Sequence, residues 1–220
     1  MPRIRDEKDL QCTWRFEKQA YSRGWAYVAG CDEAGRGALL GPLYAAAVIL
    51  DPSRPIAGLN DSKKLSPQCR EALALEIRAK AVSFQVVAVS AEEVDAVNVY
   101  QASRLAMIRA IERLKPAPHF ILTDAMPLWE AGAARTPFRG LIHGDARSVS
   151  IAAASILAKV ARDAHMQKLD SLYPHYHLAQ NKGYGTPEHL KGLQQYGPCR
   201  EHRKSFQPVK DYLLPLFDPA

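Results

Sequence analysis

Two adjacent acids, Asp32 and Glu33, follow directly after the apolar run YVAGC, and a third, Asp124, closes the apolar run HFILT. Both runs have the composition of buried strands, so these acids stand at a strand's end or on the interior face of a sheet. Burying an ionised carboxylate is expensive without a cation or a set of hydrogen bonds, and neighbouring acids repel one another. A bound divalent metal would relieve both penalties. A fourth acid, Asp145, lies in HGDARSVS ahead of an alanine-rich stretch. Each has a plainer reading when taken singly: an Asp-Glu pair often opens a solvated turn, and Asp145 suits a helix N-cap. Taken together, four carboxylates suit hard cations such as Mg2+ or Mn2+, and a pair of these ~4 Å apart is the arrangement of two-metal phosphodiester hydrolysis. Zinc is disfavoured, because His175 and His177 have no partner cysteines at ligand spacing and read as surface or packing residues.

The elements that would carry these acids follow from periodicity and punctuation. Apolar, strand-like segments run from Ala26 to Cys31 and from Leu43 to Leu50, separated by the glycine-rich DEAGRG and by Gly41-Pro42. Ser66 followed by Pro67 starts a helix through Leu73 and Ile77. Ser83 to Ser90 reads as a strand. Val99 to Leu114 repeats Leu105, Ile108 and Ile111 at helical spacing, and His119 to Thr123 is a further strand leading into Asp124. Ser150 to Met166 is an alanine- and isoleucine-rich helix, and a basic region from Lys182 to Lys210 follows. Trp14, Phe16 and Tyr21 can dock a short N-terminal helix onto the body. The order of elements predicts an α/β protein with a mixed sheet and helices on both faces. The expected division is an N-terminal extension over 1–24, a main domain over 25–175 and a small helical C-terminal part over 176–220.

With 220 residues, 47% of them hydrophobic and 24% charged, the chain fits one main core with an appendage. Its 29 Lys and Arg against 23 Asp and Glu give a formal charge of +6, which favours polyanionic partners without naming one. Cys12, Cys31, Cys69 and Cys199 are scattered, with no C-x-x-C pair, and read as free thiols in a reducing compartment. The charged start MPRIRDEKDLQ lacks a signal-peptide core, and no apolar run approaches the ~20 residues of a membrane span. A soluble, cytoplasmic monomer with no membrane association is expected.

Six segments, VAGCDEAGRGALLGPLYAAAVIL, LNDSKKLS, TDAM, HGDARSVSIAAASILAKVARD, NKGYGT and HRKSFQPV, occur in this order between Tyr27 and Val209. In these motifs the sequence resembles the ribonuclease HII family. The resemblance implies a ribonuclease H-like fold, with a central mixed β-sheet flanked by helices and a smaller helical C-terminal part. It also implies an acid quartet at Asp32, Glu33, Asp124 and Asp145. The implied reaction is metal-assisted hydrolysis of RNA in RNA-DNA hybrids, and at single ribonucleotides embedded in duplex DNA. The cut would fall 5′ of the ribonucleotide and leave a 3′-hydroxyl and a 5′-phosphate, with two Mn2+ or Mg2+ ions as cofactors.

By the same resemblance, the backbone of Gly35, Arg36 and Gly37 approaches the ribose 2′-hydroxyl, the group that distinguishes RNA from DNA. Tyr184 packs against the sugar at an RNA-DNA junction. Considered alone, GRG is a tight turn and Tyr184 a loop tyrosine covering core. Lys63, Lys64, Lys182, Arg200, Arg203 and Lys204 are candidate phosphate contacts, although a single such residue is more often a solvated charge. Ser155, Lys159 and Arg162 share a helix face, with Lys159 and Asp163 spaced for an i,i+4 pair. Three positions depart from the family's pattern: Ala125 for the usual glycine, Ala38 for proline and His143 for lysine. The Ala125 change is expected to tighten space beside the metal. The competing readings are a non-catalytic hybrid-binding module and another ribonuclease H-like enzyme, such as a DNA nuclease or strand-transfer enzyme. No residue specifies a sliding clamp or polymerase as partner, and the tail YLLPLFDPA reads more readily as a packing segment than as a docking peptide.

Overall fold

The computed structural model describes residues 10–128 and 136–213. The sequence reading of the first nine residues, and of most of the tail from residue 214 onward, falls outside these. Five strands form one sheet in the order β3-β2-β1-β4-β5. They are β1 (Val28–Ala34), β2 (Leu43–Ile49), β3 (Ser83–Val89), β4 (Phe120–Asp124) and β5 (Phe138–Leu141). β1, β2 and β3 are an antiparallel meander, and β4 and β5 add in parallel beside β1. This is the mixed sheet expected. β1 continues to Ala34, so Asp32 and Glu33 lie within the strand rather than after it. β5, the short segment FRGL, has no apolar alternation and was not legible as a strand.

Helices cover both faces. α1 (Arg15–Tyr21), α2 (Pro67–Lys80), α3 (Ala91–Val97), α4 (Val99–Glu112) and α5 (Val149–Leu172) precede two short helices, α6 (Leu178–Asn181) and α7 (Pro187–Tyr196). α2 starts as read from the sequence, with Pro67 in its first turn and Ser66 Oγ accepting the Cys69 amide. On one face, α4 places Ala106, Met107 and Ala110 against Ala29, Cys31 and Ala45 of the sheet. On the other, Ala153, Ile156 and Leu157 of α5 join Ala46 and Val48 of β2 and Ile77 of α2. The approach of α5 to β1 is so close that a Cβ at Gly30 would overlap the backbone of Ser150 and Ile151. α1 docks as anticipated: Phe16 packs with Val28 and Phe120, and the buried Glu17 carboxylate accepts Ser148 Oγ and Ser150 Oγ at 2.6 Å each. The C-terminal part packs Leu178 and Tyr176 against Leu40, Met166 and Leu169, joining the end of α5 to the loop after β1.

Candidate active site

Parallel pairing of β1 with β4 in the register Cys31↔Thr123 sets the next residues, Asp32 and Asp124, side by side. Asp145 arrives from the turn before α5. Asp124 Oδ1 accepts the Gly144 amide at 2.7 Å, which draws that turn onto the end of β4. The cap of α5 is Ser148, whose Oγ accepts the Ile151 amide, so Asp145 is not the N-cap and lies in a short 3-10 turn over Gly144–Ala146, with Asp61 as a hydrogen-bond partner. One carboxylate oxygen from each of Asp32, Asp124 and Asp145 lies within 4.8 Å of the others. Glu33, one residue along β1, is turned to the other face by the strand's two-residue period. It lines the same cleft from the side, with Arg36 Nη1 at 3.6 Å.

Electrostatically, the arrangement asks for a cation. Burial first, and then the charges of Glu33 and Asp124, hold the Asp32 carboxyl well above the usual range, partly offset by a hydrogen bond from Ser155. Glu33 is raised by burial against the pull of Arg36, and Asp145 is pushed up to about 6 by burial and then by Asp124. Glu33 Oε2 is buried with no hydrogen-bond partner among the described residues. Burial acts to lower the Lys63 ammonium, but Asp145, Asp61, Asp32 and Asp124 together raise it. Oxygen donors alone, a vacant buried lone pair and crowded like charges fit a hard divalent ion.

The cleft above these acids has a volume of about 530 Å³, and its walls include Gly35, Arg36, Gly37, Lys63, Ser155, Lys159 and Tyr184. Two buried guanidiniums build the loop after β1. Arg162 of α5 donates to Pro42 O at 3.1 Å and to Lys182 O at 2.8 Å, and it lies 5.5 Å from the centre of the Tyr184 ring. Gly35 has φ +89°, and a Cβ there would overlap Arg162 Nε. Arg203 is 0% exposed and donates to Gly41 O at 3.1 and 3.0 Å and to Arg36 O at 2.9 Å. Arg203 is therefore no direct phosphate contact: its donors face backbone carbonyls, and it supports the loop from beneath.

The other expected residues divide. Tyr184 is 39% exposed on the cleft wall, so it does not cover core, and a Cβ at Gly37 would lie 3.9 Å from its ring. Lys63 reaches the cleft, whereas Lys64 is exposed on the same 3-10 turn without lining it. Lys182 holds its ammonium on Ala179 O at 2.6 Å. Arg200 and Lys204 border a separate cleft beside α3. Lys159 and Asp163 pair at 2.7 Å as spaced. Ala125 has φ +52° and is exposed, so a glycine there would relieve backbone strain. Ala38 donates its amide to Gly35 O at 3.3 Å, a bond that proline lacks. Sequence reasoning missed the supporting roles of Ser155 and Arg162, whose only signal was a shared helix face, and of Ser62, whose Oγ lies 3.0 Å from Ser155 Oγ.

Comparison with known proteins agrees with this geometry. The family model for ribonuclease HII matches residues 29–209. A ribonuclease HII from Solibacter usitatus is 52% identical, covering 96% of this chain and 95% of its own length, and one from Bordetella pertussis is 51% identical over 86% and 93%. Among solved structures, ribonuclease H2 from Pyrococcus horikoshii superposes with a TM-score of 0.70 at 26% identity, covering 84% of this chain and 96% of that one. A PCNA:RNase HII complex from Archaeoglobus fulgidus gives 0.71 at 28% identity, covering 82% and 95%. The chain belongs to the ribonuclease HII family and is a metal-dependent ribonuclease.

Proposed function

We propose that the enzyme cuts RNA paired with DNA, and single ribonucleotides embedded in duplex DNA, on the 5′ side of the ribonucleotide, leaving a 3′-hydroxyl and a 5′-phosphate. The observation that carries this is the placement of three converging aspartates at the base of a cleft walled by the GRG loop and Tyr184. Asp32, Glu33, Asp124 and Asp145 would hold two Mg2+ or Mn2+ ions. When bound, these ions would ease ionisation of the attacking water and stabilise charge on the leaving oxygen. The residues of the chain supply the geometry. Ser155 holds the Asp32 carboxylate, and the Gly144 amide holds that of Asp124, so both are fixed before substrate arrives. The Gly35, Arg36 and Gly37 backbone, which has no side chain over its two glycines, lets a ribose 2′-hydroxyl approach closely. Tyr184 offers a flat ring to the neighbouring sugar, and Lys63 offers a cation to the phosphate.

The deciding experiment uses matched duplexes carrying zero, one or many ribonucleotides, with Mn2+, with Mg2+ and with chelator. The reading predicts metal-dependent cleavage of the second and third and none of the first. Equal cutting of the all-DNA duplex would make the enzyme a DNA nuclease of the same fold. The relative solved with PCNA makes a sliding clamp the partner class to test against the C-terminal tail.

A further inference from the structure

The glycine loop comes after β1 and Tyr184 comes after α6, so their spacing must be set by whatever joins the two. Backbone bonds join them directly, the Leu39 and Leu40 amides donating to Gly183 O at 2.8 and 3.3 Å, and Arg162 spans Pro42 O and Lys182 O; two histidines add a link to the Tyr184 carbonyl itself. His189 and His202 are both buried, with their Nε2 atoms 3.2 Å apart. His189 Nδ1 lies 2.9 Å from the Tyr184 carbonyl, and His202 Nδ1 lies 2.9 Å from the Cys199 amide nitrogen. A carbonyl only accepts and a backbone amide only donates, so these ends fix both rings. His202 must accept at Nδ1 and carry its proton on Nε2, and His189 must accept at Nε2 and carry its proton on Nδ1. The chain of donors then runs one way, from the Cys199 amide through both rings to Tyr184 O.

Both rings must be neutral for this, since an imidazolium has no acceptor. Burial holds both below the usual histidine range, His202 at about 4 with His189 as a second cause. The same short segment also grips the glycine loop. The amide of Arg203 donates to Leu39 O at 2.8 Å, the amide of Gly41 donates to Glu201 O at 2.9 Å, and the Arg203 guanidinium reaches Arg36 O. His202 and Arg203, adjacent in sequence, thus face the two walls of the cleft, one through His189 and the other directly.

We infer that His189 and His202 are positioning residues that, beside those direct bonds, hold Tyr184 against the GRG loop through this one-way hydrogen-bond chain. The inference rests on Tyr184 reading the sugar, as proposed above. It separates two amides that resemble one another. At position 189, Asn can donate from the place of Nδ1 to Tyr184 O, whereas Gln reaches the place of Nε2 and leaves that carbonyl without the ring's donor. With Mn2+, His189→Gln is expected to lower kcat/KM at a single embedded ribonucleotide about tenfold, the order expected for one lost buried hydrogen bond, mainly in kcat. His189→Asn, which keeps the donor to Tyr184 O but takes the acceptor away from His202 Nε2–H, should also lose activity, by a smaller factor than Gln. In a Tyr184→Ala background, His189→Gln should cost nothing further, because the histidine acts only through the tyrosine.

Imidazole 15N NMR on the unmodified enzyme reads the tautomers directly, and so decides the chain even where a variant fails to fold. The expected result is Nδ1–H on His189 and Nε2–H on His202. The opposite tautomers, or a loss from His189→Gln that adds in full to that of Tyr184→Ala, would overturn the inference while leaving the sugar-reading role of Tyr184 intact. Unchanged cleavage by Tyr184→Ala, with the tautomers as assigned, would overturn that role and the inference with it.

Discussion

Asp32 and Asp124 share a floor because the strands that deliver them run parallel and in register, and Asp145 joins because Asp124 itself binds the turn that carries it. The resulting crowding has a measurable sign. Asp32, Glu33 and Asp145 all have folded-state values above the ordinary carboxylate range, with Asp145 moved from 3.8 to about 6. The native state therefore binds more protons than the unfolded chain in that window, and stability from these groups is lost as pH rises through the folded values. In chelator, the Tm contribution of the acids should fall between about pH 4 and pH 7, and Mn2+ should restore it most at the upper end. Thermal unfolding at several pH values, with wild type compared against Asp145→Asn, tests this: the variant should lose part of the slope and much of the Mn2+ effect. At this scale the sequence was informative about which acids matter, since apolar runs ending in carboxylates are visible in one dimension. It could not show that Glu33 faces the cleft from the side, because that depends on β1 continuing past the acids to Ala34.

Among the elements, those with strong periodicity or clear caps were legible: the starts of α2 and α4 and the apolar bodies of β2 and β4 appear where pattern put them. β5 and α3 were not, the first because FRGL is too short and polar to alternate, the second because a seven-residue acidic helix has little apolar face. The loops depended on tertiary partners. Arg203 read as a candidate phosphate contact because it stands in a basic region, and only the fold shows three backbone oxygen contacts taking up its donors. Two substitutions test the loop geometry. Gly35→Ala combines a positive φ with overlap on Arg162, and it should destabilise the fold by about 2 kcal/mol and depress cleavage further than stability alone explains. Ala125→Gly should do the reverse at its own site, raising stability by about 1 kcal/mol as the left-handed strain is relieved. Denaturant midpoints report both, and an unchanged midpoint for Ala125→Gly would mean the turn is not strained.

Over the whole molecule, the charge of +6 is spread unevenly in function. Arg162 and Arg203 serve the interior, whereas Lys63, Lys64 and Arg200 remain at the surface. Binding to a hybrid duplex should weaken steeply with salt, the logarithmic slope growing by about 0.9 for each phosphate neutralised. Lys63→Ala should reduce that slope by about one phosphate's share, and Arg203→Ala should instead lower Tm. No helix among the described residues is long and apolar enough to cross a membrane. The measurement closest to the central claim is Mn2+ titration and cleavage of a single-ribonucleotide duplex by wild type and Asp124→Asn, with duplex binding followed in parallel. The variant is expected to bind the duplex normally, take up Mn2+ more weakly and leave it uncut. Full cleavage with unaltered Mn2+ uptake would contradict that claim.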